Sequence, residues 1–524
     1  MALRLMGKMP MLLEIINAKG RTMSSLTRRD LLRTSMAVSA GLAMLKPTSR
    51  VLGANNEIRL ATIGVGGQGS YHTEVFSKIP GVRYVAVCDP DQYHVNARVK
   101  FFADKGLKVD GYTDMRKLLE RKDIDAITSA TPNHWHALVT VWACQAGKDV
   151  YIEKPACHGI WEGRKMVEAA RKYNRIVQIG TQKRSSEAHK AAFEWIRAGN
   201  IGKIKWVRGF CYKARGPATV GGGYSGIVEG TNGPVPVPAN VDYNLWCGPA
   251  DMVPLRRKTL HYVWHWLWNT GCGDIGNQGP HAMDIGRWAL GDPGLATHAF
   301  SIGGRFGVSQ VGDVGETANT QIAYFDYQPA PLIFEVRGLP SKKGERRMDN
   351  YRRTGVDVGN CVQCEGGYFP AGDGGGSVFD NDGKKIKSFT GKEYGGIGGE
   401  GHHENFIKAV RSHQRRDLNA DIEVGHLSAG LVHMANTSYR LGKKMKPDEI
   451  KAALADNPEM LDSFNRMLEH LAANEVDLEK EPITMGPMLT MDPQKEQYVG
   501  AYAEMANMFL KRNYREPFVV PENV

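Results

Sequence analysis

The chain has 524 residues, enough to bury an ample core and, at ordinary domain sizes, to form about three domains or two with extensions. With 42% hydrophobic and 23% charged residues and a mean hydropathy of −0.37, it is neither a miniprotein nor a polytopic membrane protein. The net charge of +11 is concentrated at one end: residues 1–50 hold nine bases against two acids, leaving an excess of four elsewhere, so no nucleic-acid partner is expected.

Residues 1–53 read as an address and linker rather than as fold. Thr27-Arg28-Arg29-Asp30-Leu31-Leu32 pairs two arginines with apolar residues, and Met36–Leu45 is a small-residue apolar stretch too short to span a bilayer comfortably. The arrangement resembles a twin-arginine signal, which implies the twin-arginine export machinery as a partner and a periplasmic or otherwise exported protein. A basic amphipathic helix is the alternative. The segment before Arg28 is long for such a signal, which makes Met23 a second candidate start, and no clear Ala-x-Ala marks a cleavage point, so a retained, anchoring signal is also open.

Residues 54–180 carry a dinucleotide-binding pattern. An apolar strand, Ile58–Ile63, runs into Gly64-Val65-Gly66-Gly67-Gln68-Gly69 and then into a helical segment. Glycines there permit a tight turn and close approach of backbone to a pyrophosphate, which the helix N-terminus attracts. A second strand, Tyr84–Cys88, ends at Asp89, where a carboxylate would accept the adenosine ribose hydroxyls and repel a 2′-phosphate. Residues 90–93 offer no arginine, so NAD is favoured over NADP. A helix around 115–122, a strand at Ala126–Ser129, the loop Thr131-Pro132-Asn133-His134, a helix to Ala146 and a strand at Asp149–Ile152 continue the alternation. Such repeats predict a parallel, doubly wound sheet with its ligand at the carboxyl ends of the strands. Glu153-Lys154-Pro155 falls at that edge.

In order and spacing the glycine fingerprint, Asp89, the Thr131-Pro132 loop and Glu153-Lys154-Pro155 resemble the Gfo/Idh/MocA family of sugar and polyol oxidoreductases, over roughly residues 57–442. The resemblance implies an α/β chain: a Rossmann domain followed by an α+β domain (residues 181–445) with a large, mostly antiparallel sheet, in a homo-oligomer. It implies NAD contacts at Gly64, Gly66, Gly67, Gly69, Asp89, Thr131, Asn133, His134, Glu153, Lys154 and Gln182, with Lys154 the catalytic lysine. The stretch Trp268–Asp284 looks like the family's active-site helix, in which an acid often precedes the histidine by four residues. Here Asn277 stands at the acid position and His281 is retained; asparagine orients a hydroxyl but takes no proton, so base work would rest on Lys154 or His281, or on Asp274 if the backbone brings it round.

Arg184, Lys213 and Arg215 are further substrate candidates, with surface positions the alternative for Arg184 and Gln182. Trp264, Trp266 and Trp268 would stack on a sugar ring or belong to the core. Cys361 and Cys364 form a lone C-x-x-C without zinc-type partners, so no metal is expected, and a loop disulfide stays open. Residues 355–401 are glycine-rich and suggest sheet turns or a lid; 402–442 read as late helices packing back on the Rossmann domain, and 446–524 as an unassigned extension that begins helical.

A lysine serves as base only if its pKa, about 10.4 in model peptides, is lowered. The reaction expected is hydride transfer between a secondary alcohol of a sugar or polyol and the nicotinamide. Two rivals remain: an exported glycosidase that oxidises, eliminates, hydrates and recycles the NAD, and a non-catalytic sugar-binding protein.

Overall fold

Short runs between glycine or proline breaks form the first sheet: β1 (Ile58–Ile63), β2 (Val82–Cys88), β3 (Asp110–Tyr112), β4 (Ala126–Ser129), β5 (Asp149–Ile152) and β6 (Val177–Ile179). The computed structural model describes residues 57–213, 230–231, 233–308, 313–372, 374–390 and 399–524. The paired arginines and Arg215 lie outside them. Strands follow the order β3-β2-β1-β4-β5-β6, all parallel. The order reverses between β1 and β4, which opens a crevice at their carboxyl ends. All of β4, β5 and β6 is buried, as expected for strands covered by helices on both faces.

The second sheet holds β7 (Ile204–Tyr212), β8 (His298–Gly304), β9 (Thr320–Asp326), β10 (Leu332–Arg337), β11 (Val358–Cys364), β12 (Gly367–Ala371), β13 (Gly376–Asp380), β14 (Lys385–Phe389), β15 (Lys443–Met445), β16 (Ile483–Met485), β17 (Leu489–Asp492) and β18 (Gln497–Val499). Its order is β14-β13-β12-β11-β7-β10-β9-β8-β16-β15, with β17 and β18 attached through β8. Only β7 and β10 pair in parallel; the other pairings are antiparallel, so the large sheet is of the expected kind. The glycine-rich stretch supplies β11 to β14, as the sheet-turn reading anticipates.

Side chains alternate across this sheet with period two. One face, with Ala299, Ala323, Phe325, Leu332 and Phe334, packs on the helices Gly273–Ala289 and Ile422–Arg440. The opposite face, with Phe300, Ile302, Ile322 and Ile333, packs on Met460, Phe464, Met467 and Leu471 of the helix Pro458–Ala473. That helix repeats its apolar residues every three to four positions, the spacing that gathers them into one stripe. Each such side chain contributes about 1.5–3 kcal/mol on full burial. The helical part that follows residue 446 is therefore a covering layer, while β16 to β18 extend the sheet itself. Its later residues reach the other sheet: Phe518, Val520 and Val524 join the Rossmann core beside Trp135 and Leu138.

Cys361 and Cys364 both lie on β11, three residues apart, and pack in different clusters on opposite faces of the sheet. An odd spacing on a strand turns the two thiols away from each other, which removes the loop disulfide. Among the described residues no helix is long and apolar enough to cross a membrane.

Candidate active site

The phosphate end is built by glycines that have no room for a side chain. Gly64 turns out of β1 with φ +78°, and a Cβ there would stand 2.8 Å from the Thr131 amide nitrogen. A Cβ on Gly69 would stand 1.7 Å from the Gly64 carbonyl oxygen, so the first turn of the helix Gly67–Phe76 rests directly on the loop. The helix therefore points its N-terminus and unpaired N–H groups along the loop, a ready anion site. Asp89, at the end of β2, accepts hydrogen bonds from the amides of Val65 (2.8 Å) and Asp91 (2.9 Å), one on each oxygen. A carboxylate has about four acceptor sites, so both oxygens keep capacity for ribose hydroxyls.

The chemical end assembles from three loops and one helix. His136 bridges two of them, its ring nitrogens lying 2.8 Å from the Thr131 carbonyl and 2.6 Å from the Pro155 carbonyl. Glu153 is buried against His72 (3.1 Å) and Gln68 (3.2 Å). Burial alone would raise its pKa, but the His72 contact and the nearby charge of Lys154 hold it at about 2, so it is a fixed anion beneath the pocket. Lys154 extends from the strand end and donates to the carbonyl oxygen (2.9 Å) and the Oδ1 (3.2 Å) of Asn277. Asn277 and His281 lie four residues apart on the helix Gly273–Ala289, hence on one face. Desolvation, then the charge of Lys154, lowers the His281 pKa to about 3, which leaves an imidazole that is neutral at neutral pH, able to hydrogen-bond a hydroxyl but a weak proton acceptor.

These ends belong to one cleft of about 690 Å³. Gly64, Gly66, Gly67, Asp89, Thr131, Asn133, Glu153, Lys154, Gln182, Lys213, Asn277 and His281 all line it. Two of their polar atoms, Asn133 Oδ1 and Asn277 Nδ2, are buried without a hydrogen-bond partner among the described residues. A dinucleotide fits this donor set: the glycine cradle for its phosphates, Asp89 for its ribose, and free amide atoms toward the Lys154 end.

Residues 58–181 match the model described as oxidoreductase family, NAD-binding Rossmann fold, and residues 224–302 match its C-terminal alpha/beta domain. These two stretches are similar to the two domains of the Gfo/Idh/MocA family. The chain is 30% identical over 157 residues to scyllo-inositol 2-dehydrogenase (NAD(+)) of Bacillus subtilis, which covers 30% of this chain and 44% of that one. It is 32% identical over 172 residues to a glycosyl hydrolase family 109 protein of Saccharopolyspora erythraea (28% and 38%), and 27% over 206 residues to an alpha-N-acetylgalactosaminidase of Shewanella oneidensis (35% and 45%). The chain thus spans less than half the length of these relatives. Two solved structures share the fold: the WlbA dehydrogenase from Bordetella pertussis with NADH and UDP-GlcNAcA, at 18% identity and TM-score 0.51 over 73% of this chain and 97% of that one; and levoglucosan dehydrogenase with NADH and levoglucosan, at 19% and 0.52 over 72% and 96%.

Several expectations for this chain need correction. His134 does not line the cleft: its ring lies between the carbonyls of Thr270 (3.2 Å) and Trp246 (3.1 Å), and burial lowers its pKa to about 3. It anchors a neighbouring segment instead of a cofactor. Arg184 is buried in a paired contact with Asp284 (2.7 and 2.9 Å) and a further one with Asp292 (2.6 and 2.9 Å), so its guanidinium is spent on structure. Asp274 is buried at the helix start and is not among the cleft residues, so it gives no base there. Of Trp264, Trp266 and Trp268, Trp266 is core, Trp268 lies under Arg440, and Trp264 alone of the three lines the cleft, stacked on His265 at 3.6 Å.

The cleft also has a wall absent from the sequence expectations. Residues 240–265 cross over its rim: Asp242 N–H and Gln92 N–H exchange bonds with Pro90 and Asn240 carbonyls, Trp135 Nε1 donates to the Leu245 and Trp246 carbonyls, and His261 meets Asp91 at 2.9 Å. Leu245, Trp246, His261, Tyr262, Trp264 and His265 thereby join the lining. The aromatic density of 243–268 was the available signal; the partners across the fold were not.

Proposed function

We propose that the chain is an NAD-dependent sugar or polyol dehydrogenase that moves a hydride between a secondary alcohol and the nicotinamide. The observation that carries the proposal is the convergence of Lys154, Asn277 and His281 at one end of the same cleft whose other end is the Gly64–Asp89 cradle. Bound NAD would supply the hydride acceptor for the alcohol carbon. As the C–H electron pair leaves and the C=O bond forms, the hydroxyl proton passes to Lys154 Nζ, while the neutral His281 orients the oxygen by a hydrogen bond. Asn277 holds Lys154 through two oxygen atoms and keeps its Nδ2 for a substrate oxygen. Asp89 favours NAD over its 2′-phosphorylated form by like-charge repulsion.

The test is Lys154→Ala, assayed on a panel of inositols, sugars and aryl glycosides. NAD binding, followed by fluorescence, should persist, while turnover falls by roughly two to four orders of magnitude. Normal turnover overturns the assignment. The glycosyl hydrolase family 109 relatives favour a second reading on the same residues, in which oxidation is followed by elimination, addition of water and return of the hydride. It predicts aglycone release without accumulated NADH and uptake of solvent deuterium beside the oxidised carbon; a dehydrogenase gives stoichiometric NADH instead.

Export through the twin-arginine route belongs to the same proposal and rests on Arg28 and Arg29. Changing both to lysine should leave folded protein in the cytoplasm, and unchanged export would mean another route.

A further inference from the structure

At the adenosine end of the cleft, three side chains with metal-ligating atoms come together from two distant parts of the chain. Asp91 caps the helix Gln92–Ala103, His94 lies in the first turn of that helix, and His261 arrives on the segment that crosses the cleft rim. One ligand atom from each lies within 4.8 Å of the others. His261 Nε2 is 2.9 Å from Asp91 Oδ2, His94 Nδ1 is 3.9 Å from the same oxygen, and the two imidazole rings are 4.6 Å apart.

We propose that Asp91, His94 and His261 form a binding site for a divalent first-row transition metal ion of the zinc class. Two imidazoles and a carboxylate are the ligand set such ions select over magnesium or calcium. Ligand bonds of about 2.0–2.2 Å to a central ion place neighbouring donor atoms a little over 3 Å apart, between the 2.9 and 3.9 Å separations found here. Asp91 is also oriented for the task. Its Oδ1 accepts from the Tyr93 amide (2.8 Å) and from Asn240 Nδ2 (2.6 Å), which turns Oδ2 toward the histidines. Second-layer bonds of this kind fix a ligating carboxylate.

His94 supplies an independent observation. Its Nδ1 is buried, yet it stands 3.5 Å from Asp89 Oδ2 and 3.9 Å from Asp91 Oδ2, too far for a well-formed hydrogen bond to either. Asp89 and Asp91 are themselves 6% and 4% exposed, so two carboxylates are buried beside each other, each with one oxygen, Oδ2, near the His94 imidazole. A dication between them satisfies the lone pairs of both rings and offsets the carboxylate charge. Three protein ligands leave a fourth position for water, and the ion would tie the rim-crossing segment to the Rossmann edge at the ribose carboxylate.

Purified full-length protein, stripped with a chelator, is titrated with Zn²⁺ by calorimetry and with Co²⁺ by its visible absorption. The expected result is one equivalent per chain, a Co²⁺ spectrum of tetrahedral intensity, and a rise in melting temperature on adding Zn²⁺. His94→Ala and His261→Gln should each weaken binding by about tenfold or more, the glutamine keeping a hydrogen bond to Asp91 so that a melting curve separates lost ligation from lost folding. Absence of saturable binding, a pure hydrogen-bonded clasp, overturns the site. So does binding that is undiminished in both variants, which would put the ion elsewhere.

Discussion

Asn277→Asp adds one negative charge to the catalytic end without changing its shape. The retained oxygen, Asn277 Oδ1, which shares the new carboxylate charge, lies 3.2 Å from Lys154 Nζ. Two unit charges at that separation attract by about 1.3 kcal/mol at the dielectric constant of water and by about 5 kcal/mol at an effective value of 20. Since a tenfold change in the protonation equilibrium corresponds to about 1.36 kcal/mol, the ammonium of the variant holds its proton about 10 to 10,000 times more tightly than that of the wild type. A base in alcohol oxidation must first be unprotonated, so the limb of the kcat/KM profile that rises with pH moves about 1 to 4 pH units toward alkali. At a fixed pH below the limb, activity falls about tenfold for every pH unit the limb has moved. The assay is NADH appearance with an oxidisable polyol across a pH series, with Asn277→Ala as the variant that loses the side-chain contact, keeps the backbone one and gains no charge. Superimposable profiles for wild type and Asn277→Asp, or a limb displaced toward acid, would refute the coupling of position 277 to the base.

In Gly69→Ala the new methyl would collide with the Gly64 carbonyl at 1.7 Å, so the loop must part from the helix; NAD affinity measured by fluorescence should drop by about tenfold or more, with the melting temperature little affected. Glu335, 2% exposed, is held by Arg466 and Arg208, and although burial would raise its pKa, those arginines depress it far below the ordinary carboxylate range. A depressed folded-state pKa gives stability that is complete above the unfolded value of about 4.3 and fades as pH falls through and below it. Glu335→Gln should therefore cost about 3–5 kcal/mol at neutral pH in denaturant unfolding, by leaving two buried arginines with only the more exposed Glu459 and Asp462 as counter-ions, and should flatten the acid side of the stability profile; an unchanged midpoint would contradict it.

The Rossmann half was legible because its signals are local. β1, β4 and β5 coincide with apolar runs bounded by turn residues, and the glycines, Asp89 and Lys154 sit at strand ends wherever such a sheet is formed. Asn277 and His281 reach the cleft for a similarly local reason, their helical spacing. Arg184 was misplaced because its counter-ions, Asp284 and Asp292, are about a hundred positions away and nothing in its own neighbourhood announces them. His94 and His261 were passed over for the same reason. Neither histidine has a motif around it, and their meeting depends on the path of residues 240–265 over the rim. The segment after 446 stayed unassigned because an amphipathic stripe says that a helix is covered on one side, and only the fold says by what.

The seating of Phe518, Val520 and Val524 among Rossmann side chains has a bearing on when this molecule becomes itself. A leading domain ordinarily folds while the rest of its chain is still being synthesised. Here the dinucleotide domain lacks part of its interior until the whole second sheet has been made and the trailing segment has returned to it. Maturation is then a closing event, late and dependent on the entire chain, and a fusion or clipping that displaces Phe518 would be felt at the first sheet, not the nearest one.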